Sequence, residues 1–391
     1  MEQVLYKLPD GWEWKRIEEV FTITSGKNLT KKDMADEGKF SVYGGNGIAG
    51  RYNDFNLSGS NIIIGRVGAL CGNVCLVNGD IWVTDNAFFI KEYKVDILKE
   101  YLAQVLSALN LGETANKAAQ PVISYKGIKD LVIPYPPLDE QKRIVEKLDA
   151  LLTRIDTAIE HLQQSVTLAD ALYASELNEV FPSDADIESL TDKDGWVSLS
   201  DTCTFENGDR GKNYPSKSAF VAEGIPVVSA GNLGERYIDH KGLNYITPER
   251  YDLLRSGRIR IGDILFCLRG SLGKVAISKD IDEGVIASSL VIIRPKDRVS
   301  AEYIYKYLKS SLCQKFISYY NNGAAQPNLS AKSLGKFMLP LPNAEHQKLI
   351  VDGLDEKYQL NQKLLDGLNS KIISLQSLKA SILDSAFKGE L

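Results

Sequence analysis

One stretch of this chain occurs twice, and that limits the possible folds more than any other feature. Residues 118 to 151 (AAQPVISYKGIKDLVIPYPPLDEQKRIVEKLDAL) return without a gap at 324 to 357 (AAQPNLSAKSLGKFMLPLPNAEHQKLIVDGLDEK), identical at 14 of 34 positions. Ordinary composition would give roughly two matches, so the segments are copies of one unit. A fainter echo lies upstream, where Gly11-Trp12 opens one unit and Gly195-Trp196 the other. The openings stand 184 residues apart and the Ala-Ala-Gln-Pro marks 206, so the second unit carries 22 further residues between shared landmarks. Similar frames with divergent interiors suit one physical task performed at two places on different local targets.

Each unit reads in the same order. Residues 1 to 137 alternate short strands and glycine-rich turns, with strands at 39 to 43, 61 to 64, 73 to 77 and 86 to 90 and a helix around Val95 to Leu109. Pro134, Pro136 and Pro137 then stop sheet or helix from continuing. From Asp139 the apolar period changes. Ile144, Leu148, Leu151, Leu152, Ile155, Ile159, Leu162 and Val166 predict one stripe on a helix running to about Val180. Roughly 40 residues at about 1.5 Å each make a rod of some 60 Å.

Phe181-Pro182 ends the rod, and an acidic linker from Ser183 leads to the second unit. There the expected strands are 225 to 230, 263 to 268, 274 to 278 and 285 to 293, with a helix starting at Thr247-Pro248. Pro340 and Pro342 repeat the brake, and a second stripe follows through Ile350, Leu354, Tyr358, Leu360, Leu364, Leu368, Ile372, Leu375, Leu378 and Ile382. Two such stripes cannot both face water, so antiparallel pairing as a coiled coil is expected, with Leu148, Leu152, Leu364 and Leu368 in the helix interface.

Bulk properties narrow the field. At 391 residues the chain suits two or three domains. No run approaches the roughly 18 to 20 apolar residues of a membrane span, and the first residues lack the apolar core of a signal peptide, so a cytoplasmic location is expected. Five scattered cysteines and three histidines form neither a disulfide framework nor a zinc pattern, which points to buried free thiols and no metal. A net charge of −5 weighs mildly against nucleic acid, although local patches can outvote it.

The passages Ile133-Pro134-Tyr135-Pro136-Pro137-Leu138-Asp139-Glu140-Gln141 through Ile144-Val145, and Leu339-Pro340-Leu341-Pro342 through Gln347, Ile350 and Val351, resemble the proline-bounded helix starts of type I restriction-modification specificity subunits. The tail from Leu378 to Leu391 resembles that family's closing segment. His346 and Asn343 stand where the first copy has Glu140 and Pro137, a departure confined to the second helix start.

The resemblance implies an α+β fold: two mixed α/β target-recognition domains separated by two long antiparallel helices forming a coiled coil. The expected bounds are 1 to 137 and 183 to 342 for the recognition domains, and 138 to 182 and 343 to 391 for the helical spacers. It further implies a non-catalytic reader of double-stranded DNA, each domain taking one half of a split, asymmetric target. Two modification subunits would methylate adenine with S-adenosylmethionine, and restriction subunits, two by expectation, would cleave DNA using ATP and Mg. No cofactor is expected in this chain itself. The competing reading is a coiled-coil scaffold that binds protein partners only.

Duplex recognition needs cations for phosphate and forked or amide side chains for base edges. In the first unit the candidates are Lys27, Lys31, Lys32, Asn46, Arg51, Arg66, Gln120 and Lys126; in the second, Arg210, Lys212, Lys217, Asn232, Arg236, Arg269, Gln326 and Lys332. Asn46 and Asn232 fall in comparable loops, and Arg66 and Arg269 lie close to matching glycines, Gly68 and Gly270. For each cation the plain alternative is a solvated surface charge, and for the two glutamines a structural turn.

Several catalytic patterns fail on context. Gly45 to Gly50 fits a dinucleotide fingerprint but is followed by a poor helix opening. Gly270-Ser271-Leu272-Gly273-Lys274 is too short for a phosphate-binding loop and has Val275 where a hydroxyl belongs. Glu140-Gln141-Lys142 imitates a nuclease motif, but its copy has His346 in place of the carboxylate.

Overall fold

A computed structural model of the chain describes residues 5–116, 119–184, 186–211, 214–321 and 328–391. Two compact units emerge, Met1–Gln163 with Asn369–Leu391, and Gln164–Leu368. Each contains one strand-rich domain and a share of both long helices, Leu138–Val180 and Ala344–Lys388.

In the first unit, Glu13–Arg16 pairs antiparallel with Val132–Tyr135, closing the domain where the chain leaves for the first long helix. A four-stranded sheet runs in the order Phe21–Ser25, Ala87–Tyr93, Ser60–Gly65, Val74–Asn78. A three-stranded sheet sets Phe40–Gly44 between its hairpin partner Gly47–Tyr52 and the parallel strand Ile81–Val83. The core gathers Ile62 and Ile64 from the sheet, Tyr101 and Leu102 from the helix Lys99–Ala108, Ile144 and Leu148 from the first long helix, and Phe387 from the second.

The second unit repeats the plan. Trp196–Ser198 pairs with Met338–Pro340, and a four-stranded sheet runs Cys203–Asn207, Leu290–Pro295, Ile264–Cys267, Val275–Ile277. The other sheet runs Asn244–Ile246, Ile225–Val228, Gly284–Ile286, Arg258–Ile259, again with one parallel pair. The helix Ala301–Lys309 takes the place of Lys99–Ala108. Gly11 and Gly195, both at positive φ, make the same tight turn at the two openings, a conformation that favours glycine.

One strand expectation is corrected. Residues 285 to 293 form two strands, Gly284–Ile286 and Leu290–Pro295, which belong to different sheets. Ala287 N–H donates to Val228 O and Leu290 N–H to Ala287 O, so the chain turns from one sheet into the other. A continuous apolar run looks like one strand because both halves are buried.

Within each unit the two long helices pair antiparallel. In the first, Arg143 meets the Leu391 backbone, Leu148 and Leu152 share a core with Ile382, Leu383 and Ala386, and Lys379 Nζ lies 2.6 Å from Asp156 Oδ1. In the second, Tyr173 packs edge-on against Tyr358 at 5.2 Å, and Leu177 shares a core with Val351 and Leu354. Inward-facing positions on the second long helix recur at 347, 351, 354, 358, 361, 365, 368, 372, 375, 379, 382 and 386, alternating steps of four and three. That is the heptad spacing of a coiled coil.

The heptad corrects the apolar stripe. Leu360, Leu364 and Leu378 are 69%, 48% and 48% exposed, and Leu151 on the first helix also faces outward. Leu148 is buried, while Leu152 and Leu368 are half-buried as interface positions. The inward face passes through Asn361, Leu365 and Lys379, because a strict seven-residue repeat selects by position rather than by hydrophobicity.

Candidate nucleic-acid interface

Each unit builds the same surface from three pieces: a glycine turn, an arginine after a central strand, and a serine-capped helical turn. In the first unit Phe21–Ser25 ends at Gly26, where a Cβ would stand 2.0 Å from Val83 O. Only glycine lets the chain lie this close, and Lys27 N–H then donates to Val83 O at 3.0 Å. Arg66 follows Ser60–Gly65. Its N–H donates to Asn86 O at 2.9 Å, its Nη1 donates to Asp85 O at 3.1 Å, and its guanidinium lies 5.3 Å from the Phe88 ring centre. Its Nε is buried without a partner among the described residues. Ile123 N–H donates to Arg66 O, placing next to it the turn Tyr125–Ile128, capped by Ser124 and carrying exposed Lys126.

The second unit repeats the three pieces with two of its cations one residue further along: Asp209 stands at the place of Lys27, and Leu268, which accepts from Leu329 N–H as Arg66 accepts from Ile123 N–H, at the place of Arg66. Gly208 ends Cys203–Asn207, and a Cβ there would meet Ala287 O at 2.8 Å. Arg210 Nη2 donates to Ser288 O at 3.1 Å. Arg269 Nε donates to Asn328 Oδ1 at 3.1 Å, and Leu329 N–H donates to Leu268 O. Ser330 caps Ala331–Leu334, which carries Lys332. Together with Asp209 and Arg255 these residues line a hollow of about 510 Å³. The buried Asp209 carboxylate accepts from the N–H of Arg255 at 2.9 Å and of Gly211 at 2.6 Å, which holds its pKa below the usual carboxylate value. The hollow therefore sets three guanidinium groups and an ammonium around one carboxylate already committed to backbone, a composition suited to phosphate.

The remaining candidates separate. Asn46 sits exposed at the tip of the turn joining Phe40–Gly44 to Gly47–Tyr52, its Oδ1 accepting from Leu70 N–H at 3.4 Å in the loop after Arg66. Arg51 is exposed but bonds the carbonyls of Gly38 and Lys39. Lys31, Lys32 and Gln120 are exposed. Lys212 and Gln326 lie outside the described residues, and Lys217 lies in the short turn Lys217–Ala219.

Two residues of the second unit have other partners. Asn232 is buried, accepting from Ser229 N–H at 3.1 Å and donating to Lys241 O at 3.3 Å, so it holds its own loop. Arg236 lines a different hollow, where it pairs bidentately with Asp355 of the second long helix at 2.9 and 2.8 Å and with Glu302 at 2.8 Å. The comparable loops of the sequence are a two-residue turn in one unit and residues 229–243 in the other, which buries what the turn exposes. Arg255 was not singled out from sequence, since it lies far along the chain from Arg210 and joins it only through Asp209.

The decoys also resolve. Gly45 to Gly50 is a hairpin turn and strand, and Gly270 to Lys274 joins two strands. The cysteines are free, four of them buried and Cys75 half-buried. Among the described residues no group of three or more His, Cys, Asp or Glu side chains could hold a metal ion, and no helix is long and apolar enough to cross a membrane.

Two long helices in antiparallel register, each entered through a proline brake from a strand-rich domain of duplicated topology, define a two-unit recognition fold. Residues 9–168 and 194–372 match the type I restriction modification DNA specificity domain, and the chain belongs to that family. It is similar to the type I restriction enzyme EcoBI specificity subunit of Escherichia coli, 25% identical over 342 residues, covering 80% of this chain and 71% of that one. The MjaVIII specificity subunit of Methanocaldococcus jannaschii is 23% identical over 418 residues, covering 94% and 92%. In fold the chain resembles a type I R-M system chain solved for its complex assembly and conformational transition (22% identity, TM-score 0.76, covering 99% of this chain and 100% of that one). It also resembles the HsdS subunit from Thermoanaerobacter tengcongensis (23% identity, TM-score 0.53, 99% of each chain).

Proposed function

We propose that the chain is the DNA-reading, non-catalytic subunit of a type I restriction-modification complex, each unit contacting one half of a bipartite, asymmetric target. One observation carries this reading: a chain of the DNA specificity family sets cations on the same three structural pieces in both units, Lys27, Arg66 and Lys126 in one and Arg210, Arg269 and Lys332 in the other. Phosphate contacts from these cations position the duplex, and exposed side chains such as Asn46 read base edges. The long helices dock two modification subunits and set the gap between half-sites. Outward-facing Leu168, Leu172, Leu360 and Leu364 supply apolar surface for such docking. S-adenosylmethionine, ATP and Mg act in the partner subunits, in the cytoplasm where the DNA lies.

The test is co-purification with the modification subunits followed by selection from randomised duplexes and mapping of modified adenines. Enrichment of two short words at a fixed separation is the expected result. No enrichment even at low salt, where phosphate contacts are strongest, leaves only the protein scaffold.

A further inference from the structure

The first turn of each long helix contains a buried glutamine, at positions 206 residues apart. Gln141 and Gln347 are almost completely shielded from solvent. Gln141 Oε1 accepts from Leu98 N–H at 2.9 Å and its Nε2 donates to Pro136 O at 2.9 Å. Gln347 Oε1 accepts from Ser300 N–H at 3.0 Å, and its Nε2 donates to Pro342 O at 2.9 Å and Arg298 O at 3.1 Å. Leu98 and Ser300 are the N-cap residues of the helices Lys99–Ala108 and Ala301–Lys309, and neither helix has a side-chain cap of its own. The amide of the long helix thus satisfies the open end of a helix in the strand-rich domain, a position where the backbone needs an outside acceptor.

A second bond ties the same domain helix to the strand that leads into the long helix. Tyr101 OH donates to Pro134 O at 2.9 Å, and Tyr303 OH to Pro340 O at 2.8 Å. A buried amide at a helix position costs free energy unless all its bonds are made, and an apolar side chain would bury as much surface there. Apolar contact tolerates sliding and tilting. An amide bonded on both sides of a joint does not, because its acceptor and donors have fixed directions.

We propose that Gln141 and Gln347 are positioning residues that set the angle at which each recognition domain stands on its long helix, and so restrict the gap at which two half-sites are accepted. This rests on the bipartite DNA reading above. The proline brake supplies the acceptor, the domain helix supplies the donor, and the glutamine makes the joint stiff. The arrangement recurs in two units whose loops differ, as expected of a device that both halves of a gap measurement need.

The experiment uses the full chain with its co-purified modification subunits and duplexes carrying both selected words at the native gap or one base pair shorter or longer. Gln347→Met, close in volume but without any of the three hydrogen bonds, is expected to lose about tenfold in discrimination between native and altered gaps, with both words unchanged. Hydrogen exchange at the Ser300 amide should quicken in the same variant. An equal loss of modification at every gap, or gap discrimination equal to that of the unaltered chain, overturns the proposal. If Gln347→Met does not fold, Gln347→Glu keeps the acceptor for Ser300 and removes the donors, and unchanged discrimination in it is equally decisive. Absence of any selected words in the unaltered chain would instead remove the DNA reading itself.

Discussion

Beyond their shared glutamine, the two units fasten domain to helix with different chemistry. In the first, Gln104 Nε2 donates to Asp149 Oδ1 at 2.9 Å, and Gln104 Oε1 is buried without a partner among the described residues. In the second, Lys306 and Asp355 occupy the equivalent places, 2.6 Å apart, and Arg236 adds its bidentate pair. Lys306 is almost fully buried and lies 5.9 and 5.7 Å from the ring centres of Tyr173 and Tyr358. The hydroxyls of Tyr305 and Tyr358 donate to Glu235. Arg236 and Glu235 both come from residues 229–243, which replace the tight turn at Gly45-Asn46. The larger loop of the second unit thus adds Arg236 to the Lys306–Asp355 ion pair, where the first unit has a single amide–carboxylate bond.

What the joints share should dominate stability. Leu148 and Leu354 are buried at equivalent positions, and replacing either by alanine should cost about 3 kcal/mol in denaturant unfolding of the full chain, whereas Leu364→Ala should cost less than about 0.5. Equal losses at Leu364 and Leu354 would contradict the heptad phase.

The ionic joint is the next largest effect. Asp355→Ala leaves Arg236 and the buried Lys306 without their carboxylate and should cost about 2 kcal/mol, against about 0.5 for Asp149→Ala. Burial alone would raise the Asp355 pKa, but hydrogen bonds and charge from Arg236 and Lys306 more than offset it and leave it below its ordinary 3.8. A depressed carboxylate pKa contributes stability that is present above the unfolded value and is lost as pH falls through the folded one. Hydrogen exchange around Lys306 should therefore stay slow down to about pH 4 and quicken only in stronger acid, in unaltered chain but not in Asp355→Asn.

Smaller effects divide the paired asparagines. Asn232→Ala should destabilise the second unit by about 1 kcal/mol through its loop, while Asn46→Ala should leave stability within about 0.5 kcal/mol and weaken DNA binding. In the hollow, Arg269→Ala and Lys332→Ala should each weaken binding to all sequences and reduce the logarithmic salt slope by about one. Gln104→Lys, which copies the second joint into the first, should stabilise by a few tenths of a kcal/mol, up to about 0.5. A destabilising Gln104→Lys would mean that the two joints are not interchangeable.

Much of this fold was readable before any tertiary contact was known. The first long helix, expected to start at Asp139 and run to about Val180, spans Leu138–Val180, because periodicity and proline brakes act within a few residues of themselves. Thr247 caps Pro248–Asp252 as its hydroxyl and the following proline predicted. The split of residues 285 to 293 was not readable, since a turn between two buried sheets leaves no polar mark. Nor was the inward face at Asn361 and Lys379, since the partner helix selects it.

The candidate interface divides along the same line. Arg66 and Arg269 stand just after short apolar runs, 61 to 64 and 263 to 268, that the sequence marks as strands. Nothing in the sequence separates Arg236 from Arg210; Glu302 and Asp355, 66 and 119 residues further along, meet it only in space. By itself the sequence determined a duplicated plan, its brakes and its two rods, since those depend on local backbone preference and on comparing the chain with itself. Only the tertiary structure decided which cations are spent on holding domains to helices and which face outward, because a charge chooses its partner through space.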